Sequence, residues 1–265
     1  MNEGSANDGV LARAAAIFKV LAENSEAVSV SSVATALDLS TSTVHRLLNE
    51  LVRIGWVERA PMRRYRASFE FYRLSAVVAR NVPGVTVCRP FLLDIVRQVD
   101  ETCFFAMAMR DQLSMMIAER VDPTQPLQYR FQMHQTRSLI WGAPARAILS
   151  ALSDAEIGLA VANAPLSLKG KRPPPLAQIM QEMVEIRGRG YCITRGEILE
   201  WAVSIASPVF GADQKVVGAI ALIVPEMRFR GSSESTYAKL ITSQARRLSG
   251  AMGASQRFCD LSLRP

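Results

Sequence analysis

The stretch from Ser29 to Arg53, SVSSVATALDLSTSTVHRLLNELVR, constrains the fold more than any other part of the chain. It holds two short amphipathic segments. Val30, Val33, Ala34 and Leu37 fall at i, i+3, i+4, i+7, and Val44, Leu47, Leu48 and Leu51 repeat that spacing. Leu37-Asp38-Leu39-Ser40 between them is a break of turn length. Asp38 belongs to the few non-glycine types that tolerate the left-handed backbone a tight inter-helix turn needs. Ser40 or Thr41 then offers a hydroxyl to the unsatisfied amides that open the second segment. Two helices of this length joined by so short a turn predict a helix-turn-helix.

The outer face of the second helix points to DNA. At about 100° per residue, Ser42, His45, Arg46, Asn49 and Arg53 lie opposite the apolar stripe. All five donate hydrogen bonds, and Arg and Asn fork onto guanine and adenine edges in the major groove. The segment from Gly55 to Arg66 reads as strand, basic turn, strand, a wing with Arg59, Arg63, Arg64 and Arg66 near its tip. Arginines there suit phosphate contact or entry into the minor groove. The expected DNA-binding set is Thr41, Ser42, Thr43, His45, Arg46, Asn49, Arg53, Arg63 and Arg64, on a winged helix-turn-helix.

Composition narrows the function classes. A chain of 265 residues, 49% hydrophobic and 21% charged, is globular and long enough for one large or two ordinary domains. Its net charge of +7 suits a polyanionic partner. No apolar run approaches the ~18 residues of a membrane span, and the first residues lack a signal-peptide pattern, so a cytoplasmic protein is expected. Cys88, Cys103, Cys192 and Cys259 are scattered without a C-x-x-C pair, as expected of buried thiols in a reducing compartment. With two histidines, His45 and His134, no H-E-x-x-H zinc motif can be built, and no Gly-rich phosphate loop or G-x-S-x-G elbow is present. The sequence therefore predicts no enzyme, no cofactor and no metal.

In chain order, residues 1–8 are small and polar and read as a flexible tail. Residues 9–67 form the DNA-binding domain, its first helix starting at Val10 with Ala14, Ile17, Phe18 and Leu21 in helical period. Residues 68–84 are a linker helix, apolar on nearly all sides and suited to dimer contacts, ending at Asn81-Val82-Pro83-Gly84. Residues 85–265 form a second domain. Helices are expected over 87–101, 143–152, 154–163, 176–187 and 233–248, with Gly188 and Gly190 stopping the fourth. Strands are expected over 103–109, 113–121, 127–133, 201–210 and 215–224, the first two joined as a hairpin at Arg110-Asp111-Gln112. Strands grouped around several helices predict an α+β fold with a mainly antiparallel sheet.

From about Val10 to Leu248 the chain resembles the IclR-type bacterial transcriptional regulators. The most specific stretches are Ser42-Thr43-Val44-His45-Arg46-Leu47-Leu48, with Leu51 and Gly55 after it, and Ile205-Ala206-Ser207-Pro208-Val209. Arg89-Pro90, Glu101-Thr102, Glu119-Arg120-Val121 and Gly190-Tyr191 leading to Gly196-Glu197 add weaker signposts. The resemblance implies a winged helix-turn-helix joined by a linker helix to a GAF-like effector domain. It further implies dimers, often paired into tetramers, on double-stranded operator DNA, with a small organic acid or aromatic metabolite as effector. Relatives usually carry a glycine at His134, a proline near Ser138, a glycine near Ala145 and a glycine at Trp201. A cysteine is common at Ser204, an acidic residue at Thr194, and a glycine in the turn at Asp38.

For the effector pocket the candidates are Met107, Met109, Ser138, Trp141, Arg146, Thr194, Trp201 and Ser204, with Ala206 beside them. Tryptophan and methionine suit a flat apolar body, and Arg146 could pair with its carboxylate. Trp201 is expected at the cavity mouth, offering its ring to the ligand. The reading is a ligand-responsive DNA-binding regulator. Its alternatives are a regulator whose second domain only oligomerises, and an enzyme acting on a small acid.

Overall fold

Helix α1 (Val10–Glu23) lays Ile17 and Leu21 against Val33 and Ala34 of α2 (Val30–Leu37) and against Val44, Leu47, Leu48 and Leu51 of α3 (Thr41–Arg53). These are the two apolar stripes of the sequence, closed on each other. Each fully buried aliphatic side chain contributes roughly 1.5–3 kcal/mol by leaving water. The turn between α2 and α3 passes through Asp38 at φ 52°, ψ 46°, whose N–H donates to the Ala34 carbonyl. Ser40 caps α3, its Oγ accepting from the Thr43 N–H at 3.2 Å. Strands β2 (Val57–Ala60) and β3 (Arg64–Ala67) form the wing, and β1 (Val28–Ser29) pairs on the far side of β3. Helix α4 (Phe69–Arg80) follows, with Phe71 packed on Phe18 and Trp56.

The structure, a computed structural model, describes residues 9–80, 83–129, 131–230 and 233–255. The expected tail at 1–8, Asn81 and Val82 of the expected boundary, Cys259 and the end of the chain from 256 lie outside them. The chain divides into two units, Met1–Asn81 and Val82–Pro265.

The second unit is built on a six-stranded antiparallel sheet of order β6-β5-β4-β9-β8-β7. Its strands are β4 (Thr102–Met109), β5 (Ser114–Val121), β6 (Thr136–Ser138), β7 (Cys192–Arg195), β8 (Ala202–Phe210) and β9 (Val216–Pro225). Nearly every residue of β8 and β9 is buried, so both faces of the sheet are covered. Helices α5 (Pro83–Val99) and α9 (Ser233–Ala251) pack together as one layer, and α6 (Ala143–Ser150) with α8 (Leu176–Arg189) as another. Helix α7 (Asp154–Ala162) leans on α8 and opens with a capping box from Ser153 to Glu156. Gly218 is required where it stands: a Cβ there would fall 2.5 Å from the Phe105 ring. No described helix is long and apolar enough to cross a membrane.

Three local expectations change. The described residues of 127–133 form no strand; the ladder beside β5 is instead Thr136–Ser138, pairing Arg137 with Met115. Tyr129 and Phe131 pack partly buried against the core, but the Phe131 carbonyl accepts from the Arg120 guanidinium and not from a strand backbone. Gly188 lies inside α8, and the helix ends at Gly190, whose φ of 76° gives a left-handed cap. The short edge strand Cys192–Arg195 was not expected from its residues.

Candidate nucleic-acid interface and ligand cavity

The outer face of α3 carries Thr41, Ser42, His45, Arg46 and Arg53 exposed, with Thr43 and Asn49 half-buried. The side chains differ in how far they are already engaged. Arg53 is held by Glu50, Nε to Oε2 at 2.9 Å. Asn49 accepts from the Arg59 guanidinium at 2.9 Å and meets His45 Nδ1 at 3.3 Å. The Arg59 bond ties the helix to the first wing strand. Arg46, by contrast, has no hydrogen-bond or ion-pair partner among the described residues and can rotate towards a base edge.

At the wing tip Pro61-Met62-Arg63 turns the chain, and Met62 and Arg63 both have positive φ, 60° and 55°. Arg63 has no partner among the described residues. Arg64 makes only a long contact to the Ala27 carbonyl, 3.4 Å, and Arg66 is paired with Glu58 at 2.6 Å. An open hollow between α3 and the wing is lined by the N-terminal residues Ser29, Thr41 and Ser42 together with Arg59, Arg63 and Arg64. The first turns of α2 and α3 and these three guanidinium groups present donors and positive charge to an anionic backbone. Arg59 as the clamp on Asn49 was missed: the two residues are ten apart in sequence, on elements of different period.

The second unit encloses a cavity of about 260 Å³ between the sheet and the loops around α6. Four of the eight expected effector residues line it: Ser138, Trp141, Thr194 and Ser204. Phe104, Met115, Ile117, Phe131 and Leu199 supply apolar wall, and Arg137 and Glu197 are the two charged side chains among the described lining residues. The Trp141 indole N–H donates to the Pro165 carbonyl at 3.0 Å, which fixes its ring.

The other four do not line it. Phe104 faces the cavity, so strand alternation turns Met107 and Met109, at odd offsets along β4, to the opposite face. Arg146 sits behind the wall. Its guanidinium is spent on the Ile140 carbonyl at 3.1 Å, Glu182 at 3.0 Å and Glu197 at 2.6 Å. Trp201 is 74% exposed, at φ 57° in the turn before β8. Its backbone carbonyl does the structural work there, accepting from the Tyr129 hydroxyl at 2.7 Å and the Glu226 N–H at 2.7 Å.

Glu197 is the electrostatic centre behind and beside the cavity. Burial pushes its pKa up, against the Arg146 charge and the Gly142 N–H bond at 3.1 Å, which pull it down; nearby Glu182 adds to the rise. The buried thiols are inert: burial raises Cys88 and Cys192 to about 12 and Cys103 higher still. Among the described residues no group of His, Cys, Asp and Glu is placed to hold a metal ion.

Comparison with known proteins matches both units. Residues 10–61 fit the model of the IclR helix-turn-helix domain, and residues 76–250 fit that of the bacterial transcriptional regulator IclR C-terminal domain. Similar proteins include the transcriptional regulator KipR of Bacillus subtilis, 24% identical over 76% of this chain and 80% of its own. The probable transcriptional regulator SauR of Cupriavidus necator is 27% identical over 82% of this chain and 86% of its own. Among solved structures, a putative IclR regulator of Silicibacter superposes with a TM-score of 0.80 at 20% identity, covering 93% of this chain and 97% of that one. An IclR homolog from Microbacterium hydrocarbonoxydans, complexed with 4-hydroxybenzoate, gives 0.75 at 16% identity, over 93% of this chain and 100% of that one. At these identities the superpositions establish a common fold.

Proposed function

The chain belongs to the IclR family of bacterial transcriptional regulators, and from that premise we propose that a small organic acid, bound in the cavity of the second unit, modulates its hold on operator DNA. The observation that carries the reading is the cavity itself. At about 260 Å³ it is below the usual range for drug-sized ligands and suits a single ring or short chain. Its walls are aromatic and aliphatic with a few polar groups, the composition of a ligand site and not of a packing fault. The aromatic acid bound by the Microbacterium homolog supports the same ligand class.

In this reading residues 9–67 bind DNA, 68–84 link, and 85–265 bind effector and oligomerise in a bacterial cytoplasm. Arg46 reads a base in the major groove, Arg63 and Arg64 follow the backbone or minor groove, and Thr41, Ser42, Thr43 and His45 surround the helix N-terminus. Asn49 and Arg53 must first leave Arg59 and Glu50 if they are to reach DNA. Helix α4 exposes Phe69 at 76% and Tyr72 at 68%, apolar surface that fits a second copy. A homodimer or dimer of dimers on inverted half-sites follows.

The test is a panel of small acids scored by thermal stabilisation and then by release or retention of operator DNA. An effector at 100 times its dissociation constant adds roughly 2.7 kcal/mol. Arg46→Ala should cost about 1–3 kcal/mol on the cognate duplex and much less on a scrambled one. Acids that stabilise the protein without changing its DNA affinity refute the modulation. Light scattering showing a monomer, free and on DNA, refutes the assembly.

A further inference from the structure

Arg137 is a half-buried cation without a counter-charge among the described residues. It stands on the edge strand β6, and its side chain lines the cavity beside Thr136 and Ser138. Among the described residues its guanidinium has no hydrogen-bond or ion-pair partner, and its Nε is shut off from solvent with no acceptor. Three other partly buried arginines of this unit are answered by an acid. Arg110 has Glu156 at 3.1 Å, Arg120 has Asp122 at 2.8 Å, and Arg228 has Glu101 at 2.6 Å. Burial lowers the Arg137 pKa, and no carboxylate among the described residues opposes it. Buried charges are ordinarily paired, and an unpaired one beside a cavity calls for a partner that enters from outside.

We propose that Arg137 is the anion receptor of the cavity and that it selects a monocarboxylate with a flat apolar body. The inference rests on the cavity being the effector site. Arg137 is the only cation among the described lining residues, so one carboxylate is neutralised. A second carboxylate would face either apolar wall, formed by Phe104, Phe131 and Trp141, or Glu197. Glu197 already holds the Arg146 guanidinium and the Gly142 N–H, so it repels a second anion and can accept a hydroxyl proton donor instead. The cavity thus favours monoanions over dianions and acids over their amides. Arg146, the arginine the residue pattern favours, cannot serve: its nitrogens are committed behind the wall.

The decisive measurement is calorimetric binding to the full chain of benzoate, phenylacetate and 4-hydroxybenzoate, each beside its amide, with terephthalate as the dianion. Wild type should bind at least one acid, and prefer it to its amide and to terephthalate. Arg137→Gln should weaken that acid on the order of 10- to 100-fold, the range of one charge-assisted hydrogen-bonded contact, and leave the amide unchanged. Arg137→Lys should keep the preference for acid over amide at reduced affinity. Equal acid binding by wild type and Arg137→Gln overturns the inference while the effector reading stands. No acid binding to wild type overturns both. A sharp fall in the ligand-free melting temperature of both variants would assign Arg137 a structural partner and also overturn the inference.

Discussion

Arg146→Met isolates the electrostatics behind the cavity wall. Arg146, with its side chain 11% exposed, is shared between Glu182 and Glu197, which are 23% and 18% exposed. Methionine matches much of the stem's length but leaves both carboxylates without the guanidinium. Removing one partner of a buried ion pair costs about 3–5 kcal/mol, because the other charge stays buried and uncompensated. For a unit of this size that corresponds to a melting temperature lower by roughly 6–20 °C. The loss should depend on pH, and its sign follows from Glu197. The folded protein raises the Glu197 pKa above the ordinary 4.5, chiefly through burial. The folded state therefore holds the proton to higher pH than the unfolded chain. Stability falls as pH rises through the interval between those two values. In Arg146→Met the lowering influence of the guanidinium is gone, so the interval extends upwards and the variant loses most above it. Urea or thermal unfolding at about pH 5 and pH 8 should show the smaller deficit at the acid end. The double variant Arg146→Met/Glu197→Gln should recover much of it, since glutamine still accepts the Gly142 N–H. Equal deficits at both pH values, with no recovery in the double variant, would show that packing of the arginine stem sets the cost.

Two further outcomes follow from backbone geometry. Ser40→Ala removes the cap of α3 and should lower the stability of the first unit by about 0.5–2 kcal/mol, read as earlier urea unfolding reported by Trp56. An unchanged midpoint would mean water replaces the hydroxyl without cost. Trp201→Gly should leave the ranking of bound acids unchanged and stability equal or higher by up to about 1 kcal/mol, because a glycine suits the left-handed turn better than an exposed indole. A reordered ligand panel would return Trp201 to the site.

The helix-turn-helix was legible because every local signal agrees. Two apolar stripes of one period, an aspartate in the left-handed turn and a serine at the cap all specify the same geometry. The cavity was less legible, and β4 shows why. Its residues Thr102 to Met109 are apolar almost throughout, since both faces of the sheet are covered, so no alternation marks which side Met107 and Met109 take. The strand expected over 127–133 failed for a related reason. Tyr129 and Phe131 are partly buried by packing, and such packing alone does not require a ladder partner.

The departures from the family pattern divide along the same physical line. His134 and Trp201, where the family resemblance implies glycine, have φ of 61° and 57°. The glycine at those places answers a backbone demand, and its loss need not alter the ligand space. The arginines reverse the sequence reading more sharply. Arg146 and Arg137 lie nine positions apart, and nothing local distinguishes them as carboxylate receptors. What separates them is acid supplied from far along the chain: Glu182 and Glu197, 36 and 51 residues beyond Arg146, fold back onto it. No such acid reaches Arg137 among the described residues. The free cation of the site is thus fixed by long-range compensation, which makes the acid-to-amide preference of Arg137→Gln a probe of a feature that only the folded chain creates.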